Sequence, residues 1–297
     1  MKIGIDIGGS HIGVGLINND NTIVAKEEME LVNISQGIEN IIIETIVKFI
    51  NRILENNHLS IQDIEIIGIA SPGTVTDSEI VKAHNLGLKN FKILEELRKY
   101  FDVPMKLKND AKCAAVAEKK CGSLREYNNC IFLAIGTGIG GAVFWNGKLL
   151  RPTKYPGFEV GHMIIQKENA RECKCGKSGC FEQYASITAL KREIREKYSI
   201  QEEMTGKELY NFITENMQDE RMNQIIGGYL NDLALGISNL INIFEPEVIG
   251  IGGSFSHYKD IFLPQLKIKT ERLLFNNDMP KIVMAQIKND AGIIGAV

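Results

Sequence analysis

Three cysteines and a glutamate occur within the ten residues CKCGKSGCFE, which span positions 173–182. Cys173, Cys175 and Cys180 follow the spacing C-x-C-x4-C, and three thiolates need a fourth ligand to complete a tetrahedral zinc site. His162 is the nearest upstream histidine and is the candidate for that ligand. Because four protein ligands leave no open coordination position, the spacing predicts a structural zinc rather than a catalytic one.

Three alternatives to a structural zinc site compete for the cysteine cluster. Buried free thiols are disfavoured by the close spacing of the three residues. A zinc knuckle for nucleic acid is disfavoured because the net charge is −3 and basic residues are not interleaved with aromatic ones. A zinc-dependent hydrolase would need an open coordination site, which metal counting with spectroscopy would reveal. The scattered Cys113, Cys121 and Cys130 are typical of small buried apolar residues.

Glycine-rich turns are the second chemical feature. The segment IGTGIGG, residues 135–141, formally contains G-x-G-x-x-G, but a dinucleotide site needs a helix after the glycines. The residues AVFW that follow favour a strand, so the Rossmann interpretation fails, and no P-loop is present. The hairpins DIGGSHIG and IGTGIGG, with a third turn at 251–254, can instead direct backbone amides at phosphate. Together they predict a nucleotide cleft.

The surrounding pattern predicts an α/β protein with an internal repeat. Apolar alternating strands at 2–8 and 11–17 precede a long amphipathic helix at about 36–56 and a buried strand ending in Pro72-Gly73. Near residue 128 the order strand, glycine turn, strand returns, and the two turns coincide when Ile7 is aligned with Ile135. Such a repeat implies two related α/β halves facing each other. Helices dominate up to about residue 243, and a strand and a final helix follow.

Composition limits the functional class. The chain has 297 residues, 44% hydrophobic and 24% charged, which supports a full core. The acidic balance argues against general affinity for nucleic acid or anionic membranes. No apolar run is long enough to span a bilayer, and no signal peptide is recognisable. We therefore expect a cytoplasmic protein without nucleic-acid or membrane partners.

The glycine turns resemble the motifs of a known superfamily. Residues 6–10, 136–141 and 250–254 are similar to the two phosphate motifs and the adenosine motif of the actin-like ATPases. Within that superfamily, their order and spacing resemble the ROK family of bacterial sugar kinases and sugar-responsive repressors, over essentially the whole chain. The segment from Gly161-His162 to C-x-C-G-x-x-G-C-x-E also agrees with the ROK pattern.

The resemblance implies a two-domain actin-like ATPase fold, in which a ribonuclease H-like unit is duplicated, with a zinc-stapled insertion. The expected domains are a small one, residues 1–112 plus 291–297, and a large one, residues 113–290. The resemblance further implies that ATP lies between the two halves and that Asp6 orients Mg²⁺ through water. The expected nucleotide-binding residues are Asp6, Gly8, Gly9, Ser10, His11, Gly136, Thr137, Gly138, Gly140, Gly252, Gly253 and Ser254. Ser10 stands where the family commonly has Thr, and His11 where it often has Lys.

The segment Lys108-Asn109-Asp110 ends a strand and opens a helix, so capping alone would explain either polar residue. The resemblance instead implies that Asp110 is the general base, which accepts a proton from the sugar hydroxyl. The zinc would then hold His162, Glu159 and Glu182 against the sugar. The sugar-binding residues implied by the resemblance are Gly73, Asn85, Asn109, Asp110, Glu159, His162 and Glu182.

The resulting hypothesis is an ATP-dependent hexose kinase, with glucose converted to glucose 6-phosphate as first choice. Fructose, mannose and N-acetylmannosamine kinases are the alternatives, because they share these motifs. A sugar-responsive ROK regulator lacking its DNA-binding domain is the other alternative. Repressors of the family carry that domain before the first strand, and we expect no such domain here because Met1 directly precedes the strand. A homodimer or homotetramer is expected from the family.

Overall fold

The computed structural model describes residues 1–9, 11–31, 37–151, 157–276 and 278–297. The chain divides into two compact units. Unit 1 comprises Met1–Glu126, Arg151–Gly157 and Gln286–Val297, and unit 2 comprises Tyr127–Leu150 and Phe158–Ala285. The predicted domain bounds stay a prediction, although the helix Asp110–Cys121, which crosses the proposed boundary at residue 112, lies wholly in unit 1.

Unit 1 is built on a five-stranded sheet and a three-stranded sheet. Its elements in chain order are β1 (Lys2–Ile7), β2 (His11–Ile17), β3 (Ile23–Glu30), α1 (Ile38–Asn56), β4 (Ile66–Ser71), β5 (Thr74–Val75), β6 (Ile80–Ala83), β7 (Leu88–Phe91), α2 (Ile93–Leu97), β8 (Met105–Asn109) and α3 (Asp110–Cys121). The large sheet has the order β3-β2-β1-β4-β8 and the small sheet β5-β6-β7. Strand β2 pairs antiparallel with β1 and with β3, whereas β4 and β8 run parallel to β1.

Unit 2 repeats this arrangement. Its elements are β9 (Cys130–Ile135), β10 (Ile139–Trp145), β11 (Lys148–Leu149), α4 (Glu182–Ala185), α5 (Ile187–Tyr198), α6 (Gly206–Glu215), α7 (Glu220–Phe244), β12 (Val248–Gly252), α8 (Lys259–Glu271) and β13 (Lys281–Met284). The sheet order β11-β10-β9-β12-β13 has two antiparallel pairings followed by two parallel ones, as in unit 1. The predicted internal repeat is therefore confirmed.

The last helix, α9 (Ala291–Ala296), packs on the sheet of unit 1. A side chain on Gly4 of β1 would collide with the carbonyl of Ile293, and one on Gly68 of β4 with that of Ala296. The two glycines therefore let α9 approach the strands at backbone distance. On the other face of β1, Ile3, Ile5 and Ile7 are fully buried in the isoleucine-rich core that α1 covers.

The core of unit 2 surrounds α7, whose buried side chains recur at helical spacing along 25 residues. No helix within the ranges that the structure describes is both long and apolar enough to cross a membrane. One hairpin turn lies between β1 and β2 and the other between β9 and β10, at equivalent positions of the two sheets.

Candidate functional site

The four predicted zinc ligands converge on one point in unit 2. A ring nitrogen of His162 and the Sγ atoms of Cys173, Cys175 and Cys180 all lie within 4.8 Å of one another. Cys175 Sγ and Cys180 Sγ are 3.6 Å apart, and Cys173 Sγ is 3.7 Å from His162 Nδ1. Ordinary zinc bond lengths in a tetrahedron place two thiolates about 3.8 Å apart, and a thiolate about 3.6 Å from an imidazole nitrogen. The residues therefore fit zinc.

Backbone turns hold the cysteines in place. The amide of Gly176 donates to the carbonyl of Cys173 over 2.9 Å, and the amide of Cys173 donates to the carbonyl of Lys177 over 2.8 Å. Gly176 and Gly179 have φ of 87° and 85°, which side chains rarely adopt. A side chain on Gly179 would also collide with the carbonyl of Gln166. The glycines of the motif therefore form the loop that presents the thiols.

Cys173 and Cys180 must lose their protons to bind a metal, and their surroundings oppose that loss. Burial, followed by the neighbouring thiols, raises the pKa of Cys180 to about 12, and burial also raises the pKa of Cys173. A bound divalent ion would offset that cost, because a coordinating thiol is deprotonated outright. Two buried thiols and the exposed thiol of Cys175 would have no reason to meet a histidine nitrogen at ligand distance without a metal.

Glu182 lies between the cysteine cluster and the second glycine turn. Its Oε1 atom is 3.3 Å from Cys173 Sγ and 3.8 Å from His162 Nδ1. Its Oε2 atom would be 2.6 Å from a Cβ on Gly138 and 3.3 Å from one on Gly161. The carboxylate therefore occupies the space that two glycines leave open. Sequence reasoning placed Glu182 at the sugar and missed its contact with the turn.

The second and third glycine turns lie side by side in unit 2. The amide of Gly136 donates to the carbonyl of Gly138 over 3.0 Å, and a Cβ on Gly136 would be 3.3 Å from Ser254 Oγ. Gly253 has φ of 76° and approaches the carbonyl of Ile135 so closely that a Cβ would be 2.5 Å from it. The structure thus brings together the predicted nucleotide residues Gly136, Thr137, Gly138, Gly140, Gly252, Gly253 and Ser254.

Glu159 and His162 occupy the two ends of one short turn. The amide of His162 donates to the carbonyl of Glu159 over 3.0 Å, where a 3-10 helix spans Val160–His162. Glu159 is exposed, and Phe158 before it has φ of 53°. The turn therefore keeps an acidic side chain and a zinc-ligand candidate close together.

The first glycine turn lies in unit 1. The amide of Gly8 donates to the carbonyl of His11 over 2.8 Å, and the His11 ring lies where a Cβ on Gly8 would be. His11 Nε2 is 3.6 Å from Asp6 Oδ2, and the hydrogen bond to Asp6 is the main cause that raises the pKa of His11. Gly9 approaches the side chain of Asn85. Ser10, a predicted nucleotide residue, lies outside the described residues.

The Asn-Asp pair lies at the junction of β8 and α3. Asn109 caps the helix, because its Oδ1 accepts a hydrogen bond from the amide of Lys112 over 3.3 Å, and its Nδ2 donates to the carbonyl of Gly73 over 3.0 Å. The Oδ1 atom of Asp110 accepts from the amide of Ala111 over 2.7 Å. The capping role thus belongs to Asn109, so it does not account for the aspartate that follows.

Asp110 is electrostatically unusual. Burial is the main cause that raises the pKa of its carboxyl to about 6, and the charge of Asp6 adds to the effect. A carboxylate with a pKa near neutrality is suited to proton transfer, since it is ionised at neutral pH yet basic enough to take a proton. Gly292 of α9 leaves the space that the Asp6 carboxylate occupies.

The sequence model of the ROK family matches residues 2–297 of the chain. The chain belongs to the ROK family. A glucokinase from Thermotoga maritima is 30% identical over 312 residues, which cover 99% of this chain and 95% of that protein. A xylose repressor from Bacillus spizizenii is 32% identical over 253 residues, which cover 84% of this chain and 62% of the repressor.

The fold agrees with a solved ROK structure. The ROK hexokinase from Thermus thermophilus superposes with a TM-score of 0.85 at 26% identity, covering 99% of this chain and 96% of that one. The predicted family and the predicted two-part α/β fold are thus confirmed. Two contacts of this ROK-family site escaped the sequence reasoning, those of Glu182 with Gly138 and of Asp6 with Gly292. A glycine at each of these positions gave the sequence signal, but a glycine alone does not identify the side chain that approaches it.

Proposed function

We propose that this ROK-family protein transfers the γ-phosphoryl group of ATP to a hydroxyl of a hexose, with glucose as the first substrate to test. The class of enzyme, an ATP-dependent sugar kinase, is supported by matches over nearly the full length of a glucokinase and a hexokinase. The observation that carries the proposal is the partly buried carboxyl of Asp110 at the start of α3, whose pKa is raised to about 6.

Asp110 acts as the general base in this proposal. A sugar hydroxyl is a poor nucleophile, and a carboxylate within hydrogen-bond reach accepts its proton as the phosphoryl group transfers. Asn109 holds the start of α3 to the loop at Gly73 and binds a neighbouring hydroxyl. Such a base contributes about 10²- to 10⁴-fold in rate.

The glycine turns bind the nucleotide. Amides of the turns at 8–10 and 136–138 donate to phosphate oxygens, because glycines allow backbone to approach an anion closely. The turn at 252–254 binds adenosine. Asp6 orients Mg²⁺ through water, and the ion, when bound, neutralises charge on the phosphates. His11 lies next to the first turn, and its hydrogen bond with Asp6 raises the pKa of its imidazole.

Each unit supplies candidate sugar ligands, which are held by that unit's own local structure. In unit 1 these are Asn85, which lies beside Gly9, and Asn109. In unit 2 they are Glu159, His162 and Glu182, which the cysteine loop supports. Carboxylates suit a polyol because each can accept several directional hydrogen bonds. Zinc, held by four protein ligands, is structural in this proposal.

A sugar-responsive regulator is the second candidate function, because the xylose repressor matches 84% of the chain. The two functions differ in chemistry. A regulator needs to bind sugar, but it has no use for a carboxyl whose pKa is poised near 6. Sugar binding without ADP release under any condition would favour the regulator.

The experiment is a panel of hexoses and pentoses tested for ADP release with ATP and Mg²⁺. We expect turnover with at least one hexose, and Asp110→Asn should abolish it while sugar binding, measured by calorimetry, persists. Asp102→Asn is the matched control, since Asp102 is an exposed aspartate on the loop before β8. Unchanged turnover in Asp110→Asn would rule out the proposed base. Light scattering on the same samples tests the expected homodimer or homotetramer.

A further inference from the structure

Glu118 carries a fully buried carboxylate that the proposed reaction does not use. Its side chain lies in α3 and has no exposed surface. Oε2 accepts hydrogen bonds from the amide and the hydroxyl of Ser123 over 2.7 and 2.8 Å. Oε1 accepts from the amides of Gln286 and Ile287 over 2.7 and 2.8 Å. A buried carboxylate costs free energy unless it is well hydrogen-bonded, and these four bonds offset that cost.

The bonds of Glu118 join two elements that meet at the candidate site. Gln286 and Ile287 begin the segment that enters α9, and Glu118 itself lies on α3. Further along α9, a side chain on Gly295 would collide with the carbonyl of Cys113 in α3, so the two helices touch at backbone distance. A helix is rigid along its axis, so the anchor at Glu118 determines how α9 is placed along α3.

Each of these helices contacts or contains one of the two proposed site carboxylates of unit 1, Asp6 and Asp110. Asp110 is the first residue of α3. The Asp6 carboxylate lies against Gly292 in α9, where any side chain would displace it. A slide of α9 relative to α3 would therefore change the surroundings of both carboxylates together.

We propose that Glu118 is a positioning residue, which fixes the placement of Asp6 relative to Asp110 by anchoring the entrance of α9 to α3. The catalytic part of this inference rests on the proposed function, because it takes Asp110 as the base. Asp6 on β1 is the charged group that acts on Asp110. The other titratable residues on the surrounding elements are Lys2 on β1, His11 on β2, Lys106 and Lys108 on β8, and Lys112, Cys113, Lys119, Lys120 and Cys121 on α3, whereas α9 carries none.

Glu118→Gln tests the anchor with little change in volume. An amide has one acceptor oxygen, so its NH2 group must face one of the two pairs of donors, and that pair loses its partner. Loosening of α9 should admit water to Asp110 and weaken the influence of Asp6. Both changes lower the pKa of Asp110 from about 6 towards its ordinary range.

Two further variants separate positioning from stability. In Gly122→Ala the new Cβ would overlap Glu118 Oε2, which displaces the carboxylate without removing its charge and provides a second test should Glu118→Gln fail to fold. Ser123→Ala removes only the hydroxyl donor and leaves the bonds to Gln286 and Ile287, so it is the control.

The measurement is a titration of the aspartate side-chain carboxyl signals by NMR in ¹³C-labelled protein, with the Asp110 signal assigned from its loss in Asp110→Asn. We expect the pKa of Asp110 to fall by half a pH unit or more in Glu118→Gln and Gly122→Ala, but not in Ser123→Ala. The acid limb of kcat/KM should move with it.

If the pKa of Asp110 in Glu118→Gln and Gly122→Ala equals that of the wild type, the positioning role is overturned, even if both variants are less stable. A shifted pKa in a protein that phosphorylates no sugar would instead support the anchor and count against the proposed function. The two failures are thus distinguished by the same samples.

Discussion

Replacing Asp110 with Asn should make the protein more stable while it abolishes phosphoryl transfer. Burial raises the pKa of this carboxyl from 3.8 to about 6. The folded protein therefore favours the neutral form more strongly than the unfolded chain does. This preference has its full effect below about pH 4, and ionisation above pH 6 removes it. Asn stays neutral throughout, and its carbonyl can still accept from the amide of Ala111.

The size of the gain follows from the pKa. A tenfold change in an acid dissociation constant corresponds to about 1.4 kcal/mol, so ionised Asp110 costs up to about 3 kcal/mol of unfolding free energy at pH 8. At pH 5 the unfolded chain is ionised but the folded protein is not, and the same linkage gives about half of that cost. The stabilisation by Asp110→Asn should therefore roughly double between pH 5 and pH 8.

Urea unfolding at the two pH values measures this difference directly. Wild type, Asp110→Asn and the exposed control Asp102→Asn should be compared at equal ionic strength, because surface charges respond to salt. The control should change stability by less than about 0.5 kcal/mol at either pH. An Asp110→Asn variant that is no more stable than wild type at pH 8, or that gains more stability at pH 5, would refute this account of the buried carboxyl.

Three other outcomes are expected. In the wild type, kcat/KM should fall about tenfold per pH unit below about pH 6 as Asp110 is protonated; a flat profile down to pH 5 would contradict the base. Gly138→Ala places a Cβ 2.6 Å from Glu182 Oε2 and should lower kcat/KM by about 10- to 100-fold, whereas Gly227→Ala, with open space around it, should not. Metal analysis should find one zinc per chain, and its removal by a chelator should lower Tm and raise the KM for sugar; a metal-free chain with unchanged Tm would contradict the staple.

The elements of this fold were predictable where the pattern is local. The isoleucines at every second position of β1 and the helical period of α1 are local signals, and both elements occur where they were predicted. The two hairpin turns followed from three-residue glycine segments between strands. The convergence of the cysteines with His162 also followed from spacing, because thiol and imidazole ligands at these intervals have few other uses.

Contacts between distant segments were not predictable in the same way. In the sequence, Glu118 is one of several charged residues on a predicted helix. In the structure it is fully buried, because residues 286–287, far along the chain, pack against it and donate hydrogen bonds to it. The raised pKa of Asp110 likewise depends on burial by elements that the local sequence does not name. The roles of the individual site residues stay predictions until they are measured.

The position of Glu182 has a consequence for how this protein can acquire new substrates. Its two oxygens touch the cysteine loop on one side and a backbone turn on the other, so any replacement disturbs both neighbours at once. Evolutionary drift and laboratory selection alike should leave this position unchanged and accumulate differences elsewhere. In the short 3-10 segment His84–Leu86, the exposed His84 and Asn85 can vary without such penalties, whereas Leu86 is buried. Libraries aimed at a different carbohydrate should begin there.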